Sequence, residues 1–285
     1  MYNKKYVGFM TAGLILGLFL AFTMFWGCSS NSSGPTIIQG DLNDPQFAQI
    51  RTSLDNAVDS MLVQVFNPLA NQWNFPLDTA DWQDPNDNWW LGPMGDDDSI
   101  DYEYTDDGWH VLYVVNLTAA GTQVFYDSLA YYVDGVPWML FASDVDEIKY
   151  RGSYETEFDD GQIITTLNYV SRVDLDNVNT TTAAANGTLV VDENRNYTDN
   201  GSDVEENFNL DAVYSDFEFT RTETVNWDTY TGMSGTVTAD LEYTQTVDDV
   251  VTESTLWNVE IVFGDESAEI KVTKDNTQWT YELNL

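Results

Sequence analysis

Toward its C-terminus the chain alternates with a period of two. Trp257, Val259, Ile261 and Phe263 are spaced one residue apart, and so are Trp279, Tyr281, Leu283 and Leu285, with mainly Asn, Glu and Thr between them. Alternation of this kind puts the apolar side chains on one face of an extended strand and rules out a helix. It recurs upstream. Ile100, Tyr102 and Tyr104 alternate with Asp101 and Glu103, and Trp109, Val111, Tyr113, Val115 and Leu117 form one face of the next run. Further strands are expected over 124–133, 147–158, 162–175, 187–192, 205–213, 216–227, 235–247, 250–263, 267–273 and 278–285. Asp107-Gly108, Asp134-Gly135 and Asp160-Gly161 are tight-turn signals between them.

Short connections make consecutive strands pair as a meander. So many twisted strands do not stay flat; they curl, close or split. The fold expected for 100–285 is therefore all-β, an antiparallel up-and-down meander forming a curved half-barrel or barrel. Residues 177–186, all Asn, Thr, Val and Ala, read as a surface loop. Gly187–Asp192 echoes Gly235–Asp240, a weak repeat that similar strands also produce by chance.

One helix precedes the strands. Asn43-Asp44-Pro45 supplies a capping side chain followed by proline at the first helical position. Phe47, Ile50, Leu54, Val58, Met61 and Val65 then form one apolar stripe, and Asn67-Pro68 ends it. An amphipathic helix over 45–66 needs a partner surface, and the sheet is the candidate. Residues 72–99 show no period and hold Trp82, Trp89 and Trp90 among aspartates and prolines, as a lid or binding loop does.

The first 28 residues carry an address. Lys4 and Lys5 precede an uncharged apolar run, Val7 to Trp26, long enough to cross a bilayer core. Gly27 and Cys28 follow, then the small polar stretch Ser29–Pro35. This pattern resembles the export signal of a bacterial lipoprotein, although Phe25 and Trp26 are bulkier than that signal prefers. The resemblance implies a signal peptide over 1–27, a lipid on Cys28, a tether over 28–40 and a single acidic domain over 41–285. It places that domain in the cell envelope, anchored to a membrane, at the outer membrane or cell surface in a Gram-negative cell. An uncleaved anchor helix is the alternative.

Charge narrows the partners. The chain has 48 acidic residues against 10 Lys and Arg, a net charge of −38, and no acidic residue precedes Cys28. Such a surface repels phosphate backbones, so nucleic acid is excluded as a partner. It also repels anionic headgroups, leaving the membrane to the lipid or anchor. Cys28 is the only cysteine, so no disulfide forms within the chain.

No motif specifies catalysis. His110 is the only histidine and lies within a strand, where a satisfied structural site is expected. Asp106-Asp107-Gly108 and Asp159-Asp160-Gly161 are explained as turns. Clustered aspartates at Asp96, Asp97 and Asp98 offer the hard oxygens calcium takes, although no stretch fits an EF-hand. Calcium is thus the one cofactor suggested, and none is required. Trp82, Trp89 and Trp90 present rings that can stack on sugars or plug the end of the sheet. The last strand also resembles that of a transmembrane barrel, but a leader-borne anchor makes that redundant.

The function expected is that of a non-enzymatic, lipid-anchored extracytoplasmic binding or scaffold protein, carrying an apolar ligand in its curved sheet. A surface module binding glycan or matrix through the Trp-rich and acidic loops is one alternative. A hydrolase using paired carboxylates is the other.

Overall fold

The computed structural model describes residues 37–70, 99–118, 121–139, 142–221, 230–265 and 267–284. Cys28 and the leader, Trp82, Trp89 and Trp90, and Asp96, Asp97 and Asp98 lie outside the described residues. In chain order the elements are β1 (Ile38–Gln39), α1 (Pro45–Ala70), β2 (Ser99–Tyr104), β3 (His110–Thr118), β4 (Gly121–Val133), β5 (Val136–Trp138) and β6 (Glu147–Asp159). They continue as β7 (Ile163–Asp176), β8 (Thr182–Asp199), β9 (Ser202–Arg221), β10 (Tyr230–Val247), β11 (Val250–Phe263), β12 (Ser267–Lys274) and β13 (Thr277–Asn284).

These strands build a 13-stranded sheet in the order β1-β13-β12-β11-β10-β9-β8-β7-β6-β4-β3-β2, with β5 paired to the end of β4. Every ladder is antiparallel except the short β1–β13 pairing, which is parallel. Among the described residues no ladder joins β2 to β13 or β1. The turns explain the meander. Asp134-Gly135, Asn200-Gly201 and Asp248-Asp249 all take positive φ, which matches a two-residue turn to the twist of its strands. At the β6–β7 turn Asp160 Oδ1 accepts from the amides of Gln162 and Ile163, both at 2.8 Å, and Asp159 Oδ1 from Gly161 at 2.7 Å. Those carboxylates are committed to turn geometry.

α1 begins as expected. Asp44 Oδ1 accepts from the Gln46 amide at 2.9 Å, ahead of Pro45 in the first turn. The helix runs to Ala70 rather than stopping at Phe66, with Pro68 inside its final turn. Phe47, Ile50, Leu54, Ala57, Val58 and Met61 have no exposed surface and belong to the same core cluster as the sheet's buried face. Among the described residues no helix is long and apolar enough to cross a membrane.

Three expectations are corrected. The loop read over 177–186 gives way to strand at Thr182, because Ala183 and Ala185 pair with Phe219 and Phe217 and make room for those rings. The two strands expected over 205–227 are one, β9, and the polar residues at its middle form a bulge. Register shifts there against both neighbours, between Ala185 and Gly187 on β8 and between Ser234 and Thr236 on β10. A bulge of this kind bends the sheet and increases its twist. Gly187 and Gly235, the glycines of the sequence echo, flank it from either side. A Cβ on Gly187 would fall 2.0 Å from the Arg172 carbonyl oxygen. Finally, the face of β3 that buries is not Val111–Leu117 but His110, Leu112 and Val114; Tyr113 and Leu117 are exposed. That run is apolar on both faces, so alternation alone does not choose between them.

Candidate functional site

Register places three facing residues from each of β4, β6 and β7 in a small lattice. Phe125 lies opposite Tyr154, which lies opposite Tyr169. Asp127 lies opposite Gly152, which lies opposite Ser171. Leu129 lies opposite Tyr150, which lies opposite Val173. Directly opposed residues share a face, and this is the buried one: Leu129, Tyr150, Tyr169, Ser171 and Val173 are buried, while Tyr126 and Val170 on the other face are exposed.

Phe125 and Tyr154 lie 4.6 Å apart between ring centroids, and Tyr154 and Tyr169 lie 6.0 Å apart, so the first row is a strip of three rings. Gly152 at the centre has no side chain. The Tyr150 hydroxyl folds over it and donates to Asp127 Oδ1 at 2.6 Å. A Cβ on Gly152 would lie 2.2 Å from that hydroxyl oxygen, so glycine is what allows the contact. Ser171, 2% exposed, has an Oγ that is buried with no hydrogen-bond partner among the described residues. The lattice is graded, since Leu129 and Val173 are packed solid while Phe125, Asp127 and Tyr154 keep some exposure.

Burial pushes the Asp127 carboxyl up to about 6, and the Tyr150 hydrogen bond opposes that rise only in part. Burial and the Asp127 charge hold the Tyr150 hydroxyl well above its ordinary range, so Tyr150 remains the donor. No ion pair among the described residues includes Asp127. The linkage has a definite sign. A carboxyl whose folded pKa is raised favours the fold in its protonated form. That contribution is complete below about pH 4 and is lost as pH rises through about 6. Asp127→Asn keeps an acceptor for Tyr150 and removes the charge. Allowing for partial exposure, it should stabilise the protein by about 1–2 kcal/mol near pH 8 and leave it unchanged near pH 4. Urea unfolding of both proteins at the two pH values checks this; an equal difference at both would show that Asp127 is not the titrating group.

His110 sits in the neighbouring strand pair. Its Nε2 lies 2.8 Å from the Met139 carbonyl oxygen and therefore carries the proton, and its Nδ1 accepts from the Tyr102 hydroxyl at 2.7 Å. Tyr104 and Tyr131 pack on its ring, and burial lowers its pKa. It is a neutral, satisfied core histidine, as its place in a strand suggested. On the inner face of β8–β10, Glu206 Oε1 accepts from Tyr197, Tyr243 and Gln245, and Arg195 pairs with Glu193 and reaches Ser53 of α1. Those polar groups tie the sheet together. Among the described residues no group of three or more His, Cys, Asp or Glu is placed to hold a metal ion.

Sequence reasoning did not single out Asp127, Tyr150, Gly152 or Ser171. The available signal was an aspartate and a serine at positions where alternation calls for apolar residues, Asp127 in Phe125–Leu129 and Ser171 in Tyr169–Val173. No protein-family model matches the chain, and no curated protein or solved structure is found to resemble it.

Proposed function

We propose that this chain is an extracytoplasmic binding protein, attached to a membrane through Cys28, whose inner sheet face on β4, β6 and β7 holds a small aromatic ligand. The observation that carries the reading is the lattice itself, three rings in a row beside a glycine centre and two polar groups, only partly covered. A mostly apolar surface with a few convergent polar groups is the usual composition of a ligand site.

The sheet in this reading is a curved half-barrel around α1. Trp279 and Tyr281 on β13 and Arg195 on β8 all reach the first turns of α1. Five strand steps separate β13 from β8, about 24 Å along the sheet, while a helix is only about 10 Å across. Curvature lets both reach it. α1 also approaches β6 and β7, and Ser60 hydrogen-bonds Tyr169, so the ligand belongs at the Phe125–Tyr154 end of the lattice.

A neutral aromatic probe, N-phenyl-1-naphthylamine, tests the reading by fluorescence titration. Saturable binding at one site per chain is expected, weakened about fivefold by Tyr154→Ala, the loss of roughly 1 kcal/mol of ring contact. Binding that is absent, or that ignores Tyr154→Ala, would leave a filled sheet serving as a scaffold. Attachment at Cys28 is tested separately by mass spectrometry of the mature N-terminus, where an unmodified Met1 would exclude the lipid.

A further inference from the structure

We infer that the outer face of β3, β4, β6 and β7 is where two copies of this chain join, face to face, about a two-fold axis. β3 presents Val111, Tyr113, Val115 and Leu117 outward, and β4 presents Val124 and Tyr126 beside them. Tyr113, Leu117 and Tyr126 are 41%, 49% and 47% exposed. From Val111 to Leu117 that face of β3 carries no charge, in a chain whose net charge is −38. A contiguous apolar face on so acidic a surface marks an interaction site. The candidate ligand site lies on the other face of the sheet and stays open.

β6 specifies the partner. Its outward residues, in order, are Lys149, Arg151, Ser153, Glu155 and Glu157. Two cations and two anions thus stand symmetrically about Ser153. Within one chain they do not meet: along the strand Arg151 is about 13 Å from Glu155, and Lys149 about 27 Å from Glu157. Lys149 turns to Glu147 and Arg151 to Asp174. Glu155 and Glu157 are exposed and form no ion pair among the described residues. A two-fold axis between two such faces, crossing the strands at Ser153, reverses the strand direction. It sets Arg151 against Glu155 of the second copy and Lys149 against Glu157 of the second copy, each pair formed twice.

Register carries the same axis through Val170, Tyr126 and Tyr113, which share the cross-strand row of Ser153. Each tyrosine then meets its own counterpart, and Val111 meets Val115. One axis therefore satisfies the apolar pattern of β3 and the charge pattern of β6 together, which a partner of another kind gives no reason for. Asp101 and Asp211 lie on that row at its two rims. Stacked sheets cross at about 30°, which swings those like charges off the axis. Four strands about 4.8 Å apart, over the nine residues from Lys149 to Glu157, give a footprint of roughly 570 Å² per copy. Roughly 1,100 Å² in all is near the lower limit for a specific interface, so the dimer is reversible.

Sedimentation equilibrium of the full chain in density-matched neutral detergent tests this. At about 0.15 M salt, repulsion between the two net charges is screened while contact pairs persist. A monomer–dimer equilibrium is expected. Tyr126→Asp opposes two carboxylates on the axis and should weaken it at least about tenfold, with the circular dichroism spectrum unchanged. Lys149→Glu and Glu157→Lys should each weaken it about fivefold, since each change acts on two pairs. The double variant Lys149→Glu/Glu157→Lys should return to within about twofold of wild type, because opposite charges again face each other across the axis. At a separation of about 27 Å, no such rescue arises within one chain. A chain that stays monomeric up to about 0.2 mM overturns the proposal. A dimer indifferent to Tyr126→Asp also overturns it, placing the contact elsewhere. So does a double variant no tighter than the single ones, which removes the two-fold register.

Discussion

Phe47→Ala is expected to destabilise the protein by about 3–5 kcal/mol, the usual cost of emptying a buried phenylalanine site. Phe47 has no exposed surface. Its ring stacks on Trp279 at 5.7 Å and 8°, and meets Tyr281 edge-on at 5.7 Å. Polar ties surround this seam and hold it in place. Trp279 Nε1 donates to the Asp41 carbonyl at 3.0 Å, the Tyr281 hydroxyl to Asp55 at 2.7 Å, and Lys274 Nζ to Gln46 at 3.0 Å. Those ties resist collapse of the surroundings into the vacated space, so the upper part of the range is expected. Phe47→Leu retains most of the volume and should cost about 1–2 kcal/mol, which keeps a measurable folded protein if the alanine variant unfolds. Denaturant midpoints of the three proteins decide it. A loss below about 1 kcal/mol for Phe47→Ala would mean that α1 is not held by the sheet, and the curved half-barrel reading would lose its main support.

The second large effect is expected at Arg221, which is only 4% exposed at the end of β9. Its Nε donates to the Thr180 carbonyl at 3.0 Å, and its Nη2 donates to Val178 at 2.7 Å and Thr180 at 2.9 Å. Its own amide donates to the Thr181 carbonyl at 3.0 Å. A guanidinium fork is thus plugged into the carbonyls of the β7–β8 turn. Arg221→Leu fills similar space but strands those carbonyls without their charged donor. The Val178 carbonyl is buried while Thr180 is exposed, and one unanswered buried acceptor costs about 1–3 kcal/mol, so a loss of about 2 kcal/mol is expected. Arg221→Lys should recover less than half of it, since a single ammonium does not span the same pair of oxygens. Amide hydrogen exchange locates the effect. Protection should fall first at Ala183 and Ala185, just beyond the turn. Unchanged protection there, with an unchanged midpoint, would show that the turn holds without the arginine.

The tertiary structure reassigned β3 in a way that shows where sequence reading stops. Strand and turn positions depend on neighbours one to three residues away, so Asp134-Gly135 and the Trp257–Phe263 alternation were readable directly. β3 is apolar on both faces, and the choice was made by what lies opposite: Tyr102 and Tyr104 on β2 and Leu129 on β4. Residues 182–186 look like loop because alanine and threonine carry little strand signal. They become strand because Phe217 and Phe219 need small residues across from them. The β9 bulge misled in a similar way, since the sequence read as two strands, 205–213 and 216–227, broken at Tyr214 and Ser215. The Asp44–Pro45 cap and the Phe47–Met61 stripe were legible because a helix start and an apolar face are both local patterns.

By itself the sequence determined the strand period, the turns, the meander and the capped helix, because each is encoded over a few consecutive residues. It also determined the net charge of −38. Only the tertiary structure decided the candidate site. Asp127, Tyr150, Gly152 and Ser171 come from three strands, and none of them is notable alone. Their meaning depends on register, which places the carboxylate, the glycine and the orphaned hydroxyl in one row with the tyrosine hydroxyl laid over it. Register is set by the hairpin turns and the buried face acting together along whole strands. For that reason no local stretch of the chain contains the site.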